Sequence, residues 1–106
     1  MNQPTLYPDW KEKVVYSSEG PQPQVLMVNN KVKIIVAGLE PGQIIPEHAE
    51  ATAMYHFLEG NGWMLVDGRR MAVGSGATVV MPVGTVRGME AETRLAFLVA
   101  RIGETA

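Results

Sequence analysis

The sequence predicts an all-β fold in one domain, an antiparallel sandwich or barrel of about nine or ten short strands. Short runs rich in Val, Ile, Tyr and Phe recur along the chain, bounded by Gly, Pro, Asn and Asp. The 106 residues include eleven glycines and seven prolines, as expected for many tight turns. No stretch has a convincing amphipathic helical pattern. A chain of this length has room for one compact core.

The strands are predicted from alternating apolar runs and the turns between them. Asp67-Gly68, between two such runs, is a strong hairpin signal. The prolines of residues 19–24 favour a connector because proline donates no ladder hydrogen bond. The alternative for residues 49–60 is a helix, but Thr, Tyr, His and Phe in a short run favour a strand. The predicted strands are an edge strand at 13–17, then 25–29, 31–39, 44–48, 54–59, 62–67, 69–73, 77–82, 85–89 and 93–102.

Composition and charge exclude several function classes. The chain has no cysteine, which rules out disulfides, thiolate metal sites and cysteine nucleophiles. Its polar, proline-broken start is not typical of a signal peptide, and no window approaches the roughly 18 apolar residues of a membrane span. The net charge is −2 and the basic residues are scattered, so nucleic acid is not an expected partner. These features are compatible with a cytoplasmic protein without a membrane partner.

Two stretches carry a resemblance to a known family. They are PGQIIPEH…YHFLEGNGWMLVDG, from residue 41 to 68, and GSGATVVMPVGTVRG, from residue 74 to 88. In order and spacing they resemble the two motifs of the cupin superfamily, and the resemblance covers residues 31–102. It implies a jelly-roll β-barrel, or double-stranded β-helix, with an N-terminal arm and edge strand at 1–20 and the barrel at 21–106. Small cupins resembling this chain are commonly homodimers.

The residues at the family's metal-ligand positions depart from the pattern. Metal-binding cupins place two histidines and a glutamate of the first motif beside one histidine of the second. Carried over, His48 keeps the first histidine and Glu50 replaces the second. The glutamate position is Ala53 when counted back from Gly60, and Met54 or Tyr55 when counted forward from Glu50. Arg87 replaces the histidine of the second motif. At best two of the four ligands remain.

The replacement by Arg87 predicts a barrel without a tightly bound metal. A tightly held transition metal generally needs at least three protein ligands. A guanidinium, always protonated, repels a divalent cation at short range and pairs well with a carboxylate. We therefore expect a Glu50–Arg87 ion pair in place of the metal. The alternative is a divalent metal such as Fe, Mn, Ni or Zn, held loosely by His48 and Glu50.

Strand parity suggests which side chains face the lumen. Tyr55 shares the parity of Ala53 and should face inward, either as core packing or as a hydroxyl offered to a ligand. His56 has the opposite parity and should face outward. The predicted pocket is lined by His48, Glu50, Ala53, Tyr55, Arg87, Met89 and Phe97, and the arm, His56, Trp63 and residues 25–36 are candidates for a dimer contact.

The sequence leaves three functions open. The first is a metal-free cavity for a small anionic or hydroxylated ligand. The second is an enzyme of the cupin dioxygenase, isomerase or decarboxylase type, with a metal at His48 and Glu50. A metal-free enzyme would use His48 as general base with Glu50 orienting it. The third is a non-catalytic interaction or sensor subunit whose barrel serves as scaffold.

Overall fold

A computed structural model of the chain describes residues 3–103, in which nine strands and one short 3₁₀ turn, Trp10–Glu12, are formed. The first two residues of the predicted arm and the last three of the predicted barrel segment lie outside the described residues. The strands are β1 (Gln24–Val28), β2 (Val32–Leu39), β3 (Ile44–Ala49), β4 (Thr52–Glu59), β5 (Asn61–Val66), β6 (Arg69–Gly74), β7 (Thr78–Met81), β8 (Val86–Ala91) and β9 (Leu95–Ile102).

The strands form two antiparallel sheets that face each other across the core. The first sheet has the order β1-β2-β9-β4-β7 and the second the order β3-β8-β5-β6. The predicted all-β fold is confirmed, and the helix considered for residues 49–60 is absent because β4 occupies most of that range. Within residues 3–103 no helix is long and apolar enough to cross a membrane.

Burial alternates residue by residue along the strands and so identifies the core side chains, most clearly in β4. Ala53, Tyr55 and Phe57 are buried, while the residues between them are partly exposed. Successive side chains of a strand point to opposite faces, so the buried set covers the inner face of the first sheet. His56 has the outward parity predicted for it, and its Nδ1 lies 2.8 Å from the hydroxyl of Thr78.

The two sheets close tightly at one end of the barrel, called here the closed end and defined by Leu39, Phe57, Ala91 and Leu95. Each of these residues is at most 1% exposed. The turn after β4 reaches this end through Gly60, whose φ is +92°. A Cβ at Gly60 would lie 1.7 Å from the carbonyl oxygen of Arg94, so only glycine fits.

The hairpin between β5 and β6 forms where the sequence predicts it. Asp67 and Gly68 have φ values of 51° and 80°, and Val66 pairs with Arg69 across the turn. Two consecutive positive φ values are typical of a type I′ turn, which matches the twist of the strands that it joins.

The edge strand predicted at residues 13–17 is wrong. These residues form no strand and pack instead on the outer face of the first sheet. A Cβ at Gly38 would lie 2.6 Å from the ring of Tyr16, and the Gln43 side chain donates to the carbonyl of Ser17 over 2.7 Å. Side-chain contacts with Gly38 and Gln43 therefore hold this segment in place of a strand ladder.

An ion pair at the closed end helps to anchor the same segment. Arg94 Nε lies 3.0 Å from Glu40 Oε1, and the guanidinium lies 4.2 Å from the ring centroid of Tyr16. The hydrogen bonds from Arg94 lower the pKa of Glu40, while burial raises the pKa of the Tyr16 hydroxyl.

Candidate functional site

The end of the barrel opposite the closed end contains a cavity of about 270 Å³. Along β2, Ile35 and Ala37 line this cavity, while Leu39 is packed at the closed end. Inward-facing residues of both sheets form the wall, and two prolines of the connector before β1 complete it. The lining residues are Pro21, Pro23, Ile35, Ala37, Ile45, His48, Glu50, Tyr55, Met64, Arg87, Gly88, Met89, Phe97, Val99 and Arg101.

Six of the seven residues predicted for the pocket line this one cavity. The exception is Ala53, which is 1% exposed and belongs to the hydrophobic core without lining the cavity. Its methyl side chain is enclosed by the surrounding core residues. The motif spacing therefore locates the cavity but does not place every ligand position of the family on its wall.

His48 and Glu50 form a polar pair at the exposed part of the cavity. His48 Nε2 lies 3.2 Å from Glu50 Oε2, and His48 Nδ1 lies 3.0 Å from the carbonyl oxygen of Pro46. The side chains of His48 and Glu50 are 51% and 26% exposed, so both groups meet solvent.

The predicted Glu50–Arg87 ion pair is wrong. The carboxylate of Glu50 lies beside His48 and 3.7 Å from Nη1 of Arg101, while Arg87 donates to the backbone carbonyl of Glu50 instead. Glu50 follows the last residue of β3, where its carbonyl accepts from Arg87 and its side chain remains at the exposed part of the cavity. Sequence reasoning missed Arg101, although its parity with Phe97 and Val99 on β9 was a usable signal.

Arg87 is buried inside the barrel, 1% exposed, on the strand next to His48. The register of β3 and β8 places the two residues opposite each other. Arg87 Nε donates to Thr85 O over 3.1 Å, and Nη2 donates to Pro82 O over 2.9 Å and to Glu50 O over 3.2 Å. The carbonyls of the β7–β8 turn and of Glu50 thus fix the guanidinium in place.

One nitrogen of this guanidinium remains without a partner. Nη1 of Arg87 is buried, and within residues 3–103 no atom accepts a hydrogen bond from it. A buried donor left unsatisfied costs about 1–3 kcal/mol, and more when the group is charged. A protein normally pairs such groups, so this one is a candidate contact for a bound molecule.

The residues of the cavity do not fit the metal of metal-binding cupins. In the part of the chain that the structure describes, no three His, Cys, Asp or Glu side chains come together. Only His48 and Glu50 remain of the family's ligand positions, and the carbonyls around Arg87 hold a cation where the fourth ligand would stand. Two ligands beside a fixed guanidinium do not make a tight divalent-metal site.

Comparison with known proteins shows the fold. No protein-family model matches the sequence, and no curated protein matches it. A conserved protein of unknown function from Streptococcus pyogenes superimposes with a TM-score of 0.84 at 23% identity, over 100% of this chain and 93% of that one. A protein with a double-stranded β-helix domain from Klebsiella pneumoniae gives a TM-score of 0.87 at 18% identity, over 98% and 94% of the two chains.

A third solved structure carries the family name. An RmlC-like cupin from Desulfovibrio desulfuricans superimposes with a TM-score of 0.79 at 24% identity, over 96% of each chain. At these identities the similarity establishes the fold and not the activity. The cupin double-stranded β-helix predicted from the two motifs is confirmed.

Proposed function

We propose that this small cupin-fold barrel binds a small organic molecule in its internal cavity and that it holds no metal ion tightly. The observation that carries the proposal is the cavity itself, about 270 Å³ between the two sheets. Ligand sites are typically concave, mainly apolar and supplied with a few polar groups that fix orientation, and they begin near about 300 Å³. This cavity fits that description at its small end.

The cavity wall is mainly apolar and contains a few polar groups, as is typical of ligand sites. Met64, Met89 and Phe97 are almost completely buried and give an apolar surface. Methionine side chains adapt their shape to what they contact. Tyr55 and Arg87 add polar groups on the same wall. A ligand would gain roughly 25 cal/mol for each Å² of apolar surface that it buries there.

The surroundings of His48 give no particular support to the general-base hypothesis. Its Nδ1 lies 3.0 Å from the carbonyl oxygen of Pro46, and its Nε2 lies 3.2 Å from the carboxylate of Glu50. The His48 side chain is 51% exposed, at the exposed part of the cavity. The buried, mainly apolar wall with the buried guanidinium of Arg87 therefore supports ligand binding more than catalysis by His48.

A thermal-shift screen of small polar and apolar compounds tests the proposal, with a cavity-filling variant as its reference. Ala37→Leu adds bulk to the cavity wall, and Ala72→Leu makes the same change at an exposed position of β6. A compound at about ten times its Kd should raise the Tm of the parent protein by roughly 5 °C. The same rise is expected in Ala72→Leu and none in Ala37→Leu.

Two results would contradict the proposal. One is a screen in which no compound stabilises the parent protein, and the other is equal stabilisation of a folded Ala37→Leu protein. Circular dichroism checks that both variants fold. Elemental analysis of protein purified without a metal-affinity step tests the metal separately, since stoichiometric iron, manganese, nickel or zinc would overturn that part.

The homodimer remains a prediction. β1 is an edge strand of the first sheet, and its Val25, Met27 and Val28 are 48%, 49% and 60% exposed. Exposed edge strands are places where chains pair. Light scattering at several protein concentrations would show whether the chain is dimeric, and Val28→Lys should then weaken the dimer.

A further inference from the structure

The cavity contains a positive charge that the protein does not neutralise. The three carbonyl oxygens around Arg87 accept hydrogen bonds but carry no net charge. In the described part of the chain no carboxylate lies within ion-pair distance of this guanidinium. The contrast is clear in the arginines that do have such partners: Arg70 with Glu90, Arg94 with Glu40 and Arg101 with Glu50.

Burial makes this charge costly. Arg87 as a whole residue is 1% exposed, whereas the side chains of Arg70 and Arg94 are 54% and 56% exposed. Water screens an exposed guanidinium, but a buried one without a counter-charge is destabilised by the lost hydration. A group with negative charge in the cavity would recover this loss and would also satisfy Nη1.

Extending the proposed function, we infer that the cavity selects a small monocarboxylate with an apolar body, whose carboxylate accepts a hydrogen bond from Nη1 of Arg87. Carboxylate oxygens are strong acceptors from a guanidinium, and such charge-assisted bonds are about twice as strong as neutral ones. The inference rests on the cavity being a ligand site.

A single negative charge fits this site better than two. Nε and Nη2 of Arg87 are already bonded to carbonyls, so Nη1 is the one nitrogen left for a ligand. Glu50 on the same cavity wall is paired with Arg101, so among the described residues the single charge of Arg87 is the one without a counter-charge there. A phosphate monoester, with up to two charges and three acceptor oxygens, would leave most of its oxygens without donors.

The apolar residues of the cavity wall indicate which kind of apolar group the ligand carries beside its carboxylate. Ile35, Met64, Met89, Phe97 and Val99 present hydrocarbon and thioether surface, which favours an aliphatic chain or a single aromatic ring. The small volume excludes extended substrates of several rings. Hexanoate and benzoate represent the two kinds of body.

Titration of the full-length protein followed by ¹H–¹⁵N NMR tests the inference. Each acid is compared at pH 7 with its neutral amide, hexanamide or benzamide, which keeps the shape and loses the charge. We expect at least one acid to shift the amide signals of Met89, Phe97 and Val99 and to bind at least about tenfold more tightly than its amide. Phenyl phosphate should bind more weakly than benzoate.

Two variants test whether the preference for an acid over its amide depends on Arg87 or on the general positive charge of the protein. Arg87→Met should abolish the preference of acid over amide, while apolar compounds continue to bind. Arg70→Met removes the same charge at an exposed position outside the cavity and should leave the preference intact. Loss of the preference in Arg70→Met but not in Arg87→Met would overturn the assignment to Nη1.

The outcomes distinguish this inference from the proposed function. Equal binding of acids and amides at the cavity residues would contradict the monocarboxylate inference but support a ligand site. No shift of the cavity residues with any of the four compounds, together with a negative thermal-shift screen, would contradict both. If Arg87→Met does not fold, the acid–amide comparison on the parent protein still tests whether the cavity prefers a carboxylate.

Discussion

The closed end and the cavity end of this barrel are built by the same strands with different results. Along β2 the inward series runs Ile35, Ala37 and Leu39, and only the last is enclosed without bordering the cavity. Along β8 it runs Arg87, Met89 and Ala91, so the charged residue lies at the cavity end. The closed end is apolar and filled, whereas the cavity end combines empty space with an unneutralised charge. Under the proposed function, the closed end serves stability and the cavity end serves binding.

The largest expected effect is at the closed end. Leu39→Ala should lower the free energy of unfolding by about 3–4 kcal/mol, because it opens a void in close-packed surroundings. Ile35 lies four residues before Leu39 on the same face of β2, and Ile35→Ala enlarges a cavity that already exists. We expect it to cost at least about 1 kcal/mol less than Leu39→Ala. Urea denaturation of both variants measures the difference, and equal losses would show that the two ends are packed alike.

The second effect is a gain of metal affinity at the cavity end. Arg87→His removes the guanidinium and places a third metal-binding side chain opposite His48 in the β3–β8 register. Together with Glu50 this makes three ligands, so zinc affinity should rise at least about tenfold, or 1.4 kcal/mol. Isothermal titration with zinc measures it.

The matched variant for this gain is Arg70→His. It also replaces an arginine, but at an exposed position beside Glu90 and outside the cavity. A similar gain in both variants would mean that position 87 has no special relation to a metal site. No gain in Arg87→His would indicate that His48 and Glu50 are not directed toward a common point.

A smaller effect on stability is expected from Arg87→Met. The carbonyl of Glu50 also accepts from the Gly84 amide over 2.9 Å, and that of Pro82 also accepts from the Thr85 hydroxyl over 2.8 Å. These acceptors therefore keep a donor when the arginine is removed. The free energy of unfolding should change by no more than about 1 kcal/mol, since a buried charge is removed as well. A loss of several kcal/mol in urea denaturation would indicate that Arg87 is there chiefly for stability.

The smallest effect concerns the ion pair at the closed end, where charge is balanced. Because Arg94 lowers the pKa of Glu40, the pair contributes stability above the ordinary pKa of a glutamate. That contribution is lost as the pH falls through the lowered pKa. In Arg94→Gln the pKa of Glu40 should return toward its ordinary value. NMR titration of the Glu40 carboxyl carbon measures it, and an unchanged pKa would mean that the pair does not form in solution.

The sequence allowed most of the fold to be predicted because alternation and turns are local signals. Asp67-Gly68 marks its hairpin by backbone conformation alone, and Tyr55 and His56 follow from parity. The prediction for residues 13–17 was wrong because the side chains of this segment cover Gly38, while its backbone does not pair in a strand ladder. Their partner lies more than twenty residues away in the chain.

The site was predicted less completely because side-chain direction at strand ends is not a local property. Motif spacing placed His48 and Arg87 on one cavity. Glu50 follows the last residue of β3, where alternation no longer fixes the side chain, so its predicted contact with Arg87 involves the carbonyl and not the carboxylate. Arg101 lies outside both motifs, and only the register of β9 with β4 brings it to Glu50.

A crystal structure of the protein as purified, without added metal, tests the central claim most directly. We expect an anion in the cavity beside the guanidinium of Arg87, which should still be bonded to the carbonyls of Pro82 and Glu50. An ordered metal ion coordinated by His48, with the side chain of Arg87 turned out of the barrel, would contradict it.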